Sequence, residues 1–412
     1  MRKYAVLLII IWSTATLFSQ EEGKVLSPWE KGEMEIHHIY TGRGESVFCI
    51  FPDGTTMLID TGDIGPYIDP KTTLPSPDKS RQPGEWIARY IAKRMHSEGE
   101  KKIDYMFMTH FHGDHMGGIY ENSPKTKKGG DYLLSGITEV GEYFQFGKMV
   151  DRDWPTYKYP VPQDSKVISN YLNFVKWSIG NNGMKMERFI PGTNKQFLLV
   201  NEPEKYKDLF EIRNIVSNGE VWTGIGNETR HYFPEEFPKG ESPDENICSA
   251  GIRISYGKFD YFNGGDLTGR LPMYAPEWKD IETPVGKSVG PVEVCEVNHH
   301  AYIDAMCDSF ISSVRPQVFV IQVWNVRHMS LNVFQSLVSQ NLYPGKRDIF
   351  PTNIPEITKS YFGESDLKRV TGKGGHVVIK IEPGGSRYKV ITLNTDDEAQ
   401  IIKSVSGPYL CR

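Results

Sequence analysis

Thr109-His110-Phe111-His112-Gly113-Asp114-His115 is the stretch on which the fold turns. It follows Ile103-Asp104-Tyr105-Met106-Phe107-Met108, an apolar run that reads as a buried strand. It precedes Met116-Gly117-Gly118, small residues suited to a tight turn. Four metal-competent side chains fall within six residues. His110 and His112 are two apart, so at a strand end both can project to one side. Asp114 and His115 follow on the loop and aim at a second position. Imidazoles combined with carboxylates suit Zn2+, with Mn2+ or Fe2+ as alternatives.

Outward from this loop the pattern is that of an α/β chain. Residues 35–42, 45–52 and 55–62 read as strands, the last two joined by an Asp53-Gly54 hairpin turn. Residues 66–83 are rich in Pro, Asp and Ser and read as a loop. Glu85 to His96 has helical spacing, with Trp86, Tyr90 and Ile91 on one face. Strand, helix, strand in that order supports an α/β class. Residues 121–245 hold strand-like pieces at 137–147 and 195–200, a helix at 168–179 and a hairpin at 210–224. This stretch is expected to be an elaborate insertion that shapes the substrate cleft. Regular β-pattern returns in a hairpin turning at Gly257-Lys258, then in strands 292–300 and 317–324. A short helix at 333–340 and a closing hairpin around Gly384-Gly385 follow.

The 412 residues are 39% hydrophobic and 24% charged, which excludes a disordered chain and a many-spanning membrane protein. A formal net charge of −5 gives no long-range pull on nucleic acid. Five cysteines, Cys49, Cys248, Cys295, Cys307 and Cys411, are too sparse and odd in number for a disulfide framework. The N-terminus reads as an address. Arg2-Lys3 supplies positive charge, 5–12 an apolar core and 13–19 a trailing segment. Residues 1–20 are expected to be a secretory signal peptide cleaved near Ser19 or Gln20, which makes the protein periplasmic or extracellular. Its removal takes away Arg2 and Lys3 and no acid, bringing the charge from −5 to −7. No later run reaches the ~18 apolar residues that a membrane helix needs. Residues 21–33 are expected to be flexible, and 34–412 to form one domain.

The spacing His-x-His-x-Asp-His after a hydrophobic strand resembles the metallo-β-lactamase superfamily, and the resemblance extends over most of 34–395. It implies an α/β fold, a four-layer αββα sandwich, with two divalent metal ions at one edge of its two sheets. Leu58-Ile59-Asp60-Thr61-Gly62 matches the family's first motif, whose aspartate, Asp60 here, supports the metal loop through hydrogen bonds. Gly264-Gly265-Asp266 resembles the motif whose aspartate bridges both metals. Asp rather than Cys at that position points away from the commonest β-lactamases and towards esters, thioesters or phosphodiesters. Asn298-His299-His300-Ala301-Tyr302 is similar to the His-His-Gly-Ser signature of the ComEC-type competence-protein subgroup. His300 is the favoured ligand and His299 a substrate or proton-transfer residue, because neighbours on a strand face opposite ways. Arg43-Gly44-Glu45-Ser46 with Phe51-Pro52-Asp53-Gly54 looks like the opening strand and turn of that subgroup. Asn325 and His328 resemble its Asn and Gly-His-Pro stretch, although Met329 replaces the proline. The family's third histidine for the first metal is missing. Asn246, 20 residues ahead of Asp266, and His231, 35 ahead, are its candidate replacements.

The resemblance thus implies a metal set of His110, His112, Asp114, His115, Asp266 and His300. A hydroxide bridged between two ions would attack the ester, Asp114 and Asp266 would position it, and His299 or His328 would protonate the leaving group. The substrate class is a small-molecule or polymer ester. For an exported protein a phosphodiesterase is the first expectation, with nucleic acid open as a polymer although charge does not indicate it. A lactone, thioester or carboxylic ester hydrolase on the same fold is the alternative, and a catalytically reduced, metal-stabilised binding protein the third. Asp151-Arg152 with Trp154-Pro155 and Tyr157 either lines the groove, offering Arg152 to a phosphate, or packs as ordinary structure.

Overall fold

The structure, a computed structural model, describes residues 21–65, 71–95 and 101–412. The expected signal peptide and His96 lie outside the described residues. Two large sheets carry the chain. The first starts with β1 (Met34–His38), β2 (Val47–Ile50) and β3 (Thr56–Ile59), antiparallel to one another. It continues in parallel through β4 (Lys102–Phe107), β5 (Gln145–Asp151) and β6 (Lys185–Arg188). The second holds β7 (Phe210–Ser217), β8 (Glu220–Trp222), β9 (Thr229–His231), β10 (Gly251–Tyr256) and β11 (Phe259–Asn263) as an antiparallel half. Parallel strands β12 (Val294–Glu296), β13 (Val318–Ile321) and β14 (Asp348–Pro351) extend it. The chain then returns to the first sheet with β15 (His376–Ile381), β16 (Arg387–Leu393) and β17 (Ile402–Leu410).

Helices cover both outer faces. Helix α1 (Pro83–Met95) precedes the metal-loop turn α2 (Gly113–Met116). With α1, α3 (Ile137–Tyr143) and α4 (Lys166–Asn182) lie on the first sheet, sharing a core of Ile87, Ile91, Val140 and Phe174 with Leu58, Met106 and Met149. After a short α5 (Pro203–Tyr206), α6 (Glu282–Val289), α7 (Asp308–Val314) and α8 (Leu331–Leu337) cover the second through Val285, Phe310 and Phe334. A third core lies between the sheets. In β13, Val318 and Val320 point into it while Phe319 and Ile321 meet the helices, so a strand buried on both faces reads as unbroken apolar sequence. Helix, sheet, sheet, helix is the metallo-β-lactamase sandwich that the motif implied. No described helix is long and apolar enough to cross a membrane.

Expectations for residues 137–147, residues 195–200 and the buried face of α1 are corrected. Residues 137–147 are not one strand: α3 runs to Tyr143 before β5 begins, because Ile137, Val140 and Gly141 have helical spacing and pack on α1 and α4. Residues 195–200 form no strand either. Leu198 N–H is taken by Tyr105 Oη and Val200 N–H by Thr55 Oγ1 instead of a ladder. On α1 the buried face is Ile87, Tyr90 and Ile91, with Trp86 half-buried at its margin. Residues 121–245 supply β5 and β6 to one sheet and β7, β8 and β9 to the other. Residues 21–33 are held to the chain's end, Gly23 N–H donating to Ile402 O and Leu26 N–H to Gln400 O.

Glu139 on α3 makes a testable case. Burial, with Asp63 and Glu85 nearby, pushes its carboxyl up to about 8, from 4.5 in the open chain. Between those values the folded state holds a proton that the unfolded state has lost, so this group's stability contribution falls as pH rises through that window. Glu139→Gln is expected to melt at a higher temperature than the parent at pH 8.5 and to lose that advantage near pH 4.5. Thermal melts across that range check it.

Candidate metal centre

The candidate residues sit at the carboxyl ends of parallel strands in both sheets, where open α/β folds hold ligands. Asp60 follows β3 and His110 follows β4, while Asp266 follows β11 and His299 and His300 follow β12. Two donor groups form there, one of His110, His112 and Asp266 and one of Glu45, His115, Asp266 and His300. In the first, His110 Nε2 lies 3.1 Å from His112 Nδ1 and 3.8 Å from Asp266 Oδ2. In the second, His115 Nε2 lies 3.1 Å from Asp266 Oδ1 and 3.3 Å from His300 Nε2. His300 Nε2 is also 3.2 Å from Asp114 Oδ2 and 3.5 Å from Asp266 Oδ1. Donors bound at ~2.1 Å to one tetrahedral ion stand about 3.4 Å apart, so these spacings suit a metal. Asp266 turns one oxygen to each group.

Asp60 acts behind the donors. Its Oδ2 accepts from His115 Nδ1 at 2.8 Å and from Thr109 Oγ1 at 2.6 Å, and its Oδ1 from Thr109 N–H at 2.9 Å. That leaves His115 Nε2 free to face the centre, the usual arrangement of a carboxylate behind a ligating imidazole.

The two adjacent histidines are resolved by a break in the strand. After Glu296 the chain makes a turn in which His299, His300 and Ala301 have φ of 45°, 52° and 60°. Left-handed backbone costs about 1–2 kcal/mol per non-glycine residue, so three in succession mark a conformation that the surroundings enforce. Asn298 Nδ2 donates to Glu282 Oε1 at 2.8 Å, and the N–H groups of Met306 and Cys307 converge on the same carboxylate. Both rings consequently face the centre. His300 Nδ1 donates to Gln322 O at 3.0 Å. His299 Nδ1 lies 2.7 Å from Asp304 Oδ1, with its Nε2 3.2 Å from Asn246 Nδ2 and 3.9 Å from Asp266 Oδ2. Asn246 is therefore at the centre. His231 is not: it lies on edge strand β9, exposed, with Nε2 2.9 Å from Tyr159 Oη. His328 stacks on His300 at 4.6 Å and is buried beside Trp324.

Charge supports a cation here. Glu45, Asp60, Asp266 and Glu296 are buried and Asp114 is half-buried. Among the described residues, their side-chain hydrogen bonds come from histidine, hydroxyl and amide groups, not from lysine or arginine. Burial pushes Asp266 up, but His115, His300 and His299 hold it well below the usual carboxylate range. Burial pushes His115 down, and Asp266 and Asp114 raise it well above the usual imidazole value. His299, pushed down by burial, is carried up to about 9 by Asp266 and Asp304. The buried acids thus favour positive charge at this place. Glu45 Oε1 and Asn246 Oδ1 are buried without a hydrogen-bond partner and Asp266 Oδ1 has only imidazoles beside it, so the residues present fit divalent ions with nitrogen and oxygen ligands.

Of the two sequence readings of Arg152, phosphate contact in the groove and ordinary packing, its surroundings fit packing. Arg152 is fully buried, with Nε and Nη2 2.8 and 2.6 Å from the two oxygens of Glu245 and Nη1 2.8 Å from Asn218 Oδ1. Glu245 Oε1 also accepts from Phe111 N–H, between the two first-group histidines, so the pair braces the metal loop from behind. Sequence reasoning had assigned no role to Glu45, Glu245, Glu282 or Asp304. Only Glu45 carried a signal, its place in the opening motif.

Residues 40–129 match the family model of the Metallo-beta-lactamase superfamily. The match, the fold and the donor set agree with one another. No curated protein matches the chain. Among solved structures it is similar to Zn2+-bound PqqB from Methylobacterium extorquens, at 9% identity and a TM-score of 0.38, over 84% of this chain and 99% of that one. It is also similar to a Parabacteroides distasonis protein provisionally assigned as a metal-dependent hydrolase, at 10% identity and a TM-score of 0.36, over 80% and 97%. At such scores neither adds to the fold described above.

Proposed function

We propose that the protein is an exported phosphodiesterase of the ComEC-type subgroup working with two divalent ions, Zn2+, Mn2+ or Fe2+. Asp266 carries the reading: one carboxylate shared between two donor groups suits in-line displacement at phosphorus, where attacking and leaving oxygens both need stabilising. Ions bound there would supply Lewis acidity and lower the pKa of water. The chain's own residues do the rest. His110, His112 and Asp266 would hold one ion, with Asn246 as a further candidate donor, and Asp114, His115, Asp266 and His300 the other. Asp266 and Asp114 orient the nucleophile. His299, held by Asp304, hands its Nε2 proton to the leaving oxygen, and His328 stacks on the ring of His300.

The test is a panel of bis-p-nitrophenyl phosphate, a lactone and a thioester with metal-loaded protein. Phosphodiester hydrolysis is expected. Turnover of the lactone or thioester alone replaces this reading with the ester hydrolase, and inertness on all three with a binding protein. His299→Ala is expected to slow a dialkyl phosphodiester about 10²-fold or more while sparing the p-nitrophenyl ester, whose leaving group needs no proton. Export is tested by sequencing the N-terminus of protein recovered outside the cytoplasm, which is expected to begin near Gln20 or Glu21.

A further inference from the structure

Glu45 takes no part in the roles above, yet it lies in the floor of the second donor group. Its backbone is strapped to the metal loop: Glu45 N–H donates to Asp114 O at 2.8 Å, and its own carbonyl accepts from Gly62 N–H at 2.7 Å. Only glycine permits that approach. A Cβ on Gly62 would fall 1.9 Å from Asp114 O, and one on Gly44 2.5 Å from the same oxygen. The strap turns the Glu45 side chain inward, where it is 2% exposed. One of its oxygens lies within 4.8 Å of the donor atoms of His115, Asp266 and His300. Oε2 is 3.5 Å from His300 Nδ1, and Oε1 has no hydrogen-bond partner. His300 Nδ1 already donates to Gln322 O, so Glu45 is not needed to orient that ring. Donors opposite one another on a single ion stand about 4.2 Å apart, so atoms within 4.8 Å of one another need only a small side-chain shift to share an ion.

We propose that Glu45 is a donor to the ion at the second position, which becomes a five-donor set of three carboxylates (Glu45, Asp114, Asp266) and two imidazoles (His115, His300). An oxygen-rich set of this kind improves the standing of Mn2+ or Fe2+ relative to Zn2+, which is content with four donors. The assignment rests on the metal-centre reading, and the experiment separates the two. Glu45→Gln keeps the side chain's shape and removes its charge. In the variant, Mn2+ affinity by calorimetry is expected to fall about tenfold or more, with Zn2+ affinity less affected. The Co2+-loaded variant is expected to absorb more strongly as the coordination number drops. Unchanged affinities and spectrum, or an equal loss for both ions, overturn the assignment. If the variant does not fold, a crystal structure of the Mn2+-loaded wild type decides: a Glu45 oxygen within about 2.5 Å of the ion is expected, and one beyond contact overturns it. Wild-type protein that binds no metal defeats the centre itself, not this residue's place in it.

Discussion

Asp266→Asn is expected to cut hydrolysis by about 10³-fold or more and to weaken metal binding at both positions. The carboxylate gives Oδ2 to the His110 side and Oδ1 to the His115 side, and an amide has only one oxygen to offer. Its NH2 would point at one of the two positions as a donor where an acceptor is required. Metal ions are worth several kcal/mol to the transition state, and each 1.36 kcal/mol is tenfold in rate. Folding is expected to survive, because the Asp266 side chain meets only the imidazoles of the centre while its N–H, which the substitution keeps, is held by Ser249 Oγ. kcat/KM on a phosphodiester, read beside metal content and a thermal melt, checks all three. A well-folded variant that keeps both ions and its rate contradicts the bridging role.

Arg152→Met is expected to cost about 3–5 kcal/mol of stability, the range for breaking a buried ion pair from one side. The methionine fills most of the arginine's stem but leaves the Glu245 carboxylate without its guanidinium and Asn218 Oδ1 without its donor. It also removes the guanidinium stacked 4.5 Å over the Phe111 ring. Because Glu245 fixes Phe111 N–H, first-position metal affinity is expected to fall along with stability. Urea unfolding of the metal-free protein isolates the first effect. A loss below about 1 kcal/mol, the level of an exposed ion pair, contradicts the account of Arg152 as a buried brace.

Local pattern made much of this legible. The strand-loop unit ending in His110, the hairpins at Asp53-Gly54 and Gly257-Lys258, and α4 all declare themselves through short-range spacing. Where short-range spacing was ambiguous, tertiary contacts decided. Phe197 and Leu199 alternate with exposed Leu198 and Val200 as in a strand, but no neighbouring strand is in place to pair with them. Left-handed Gly136 starts α3 and leaves no mark that distinguishes it from a turn before a strand. In the centre, the clustered donors were visible. The supporting partners were not, because Arg152 and Glu245 stand 93 residues apart and His115 and His300 stand 185 apart. Nor could the sequence show that β12 ends in left-handed turns, which is what lets His299 and His300 share one face.

Metal content tests the central claim most directly. Protein stripped of metal, reloaded and freed of excess ion is expected to hold two divalent ions per chain, His112→Ala keeping the second-position ion and His300→Ala the first. A wild-type protein that retains none, or variants that both retain two, would contradict a dinuclear centre built on these residues.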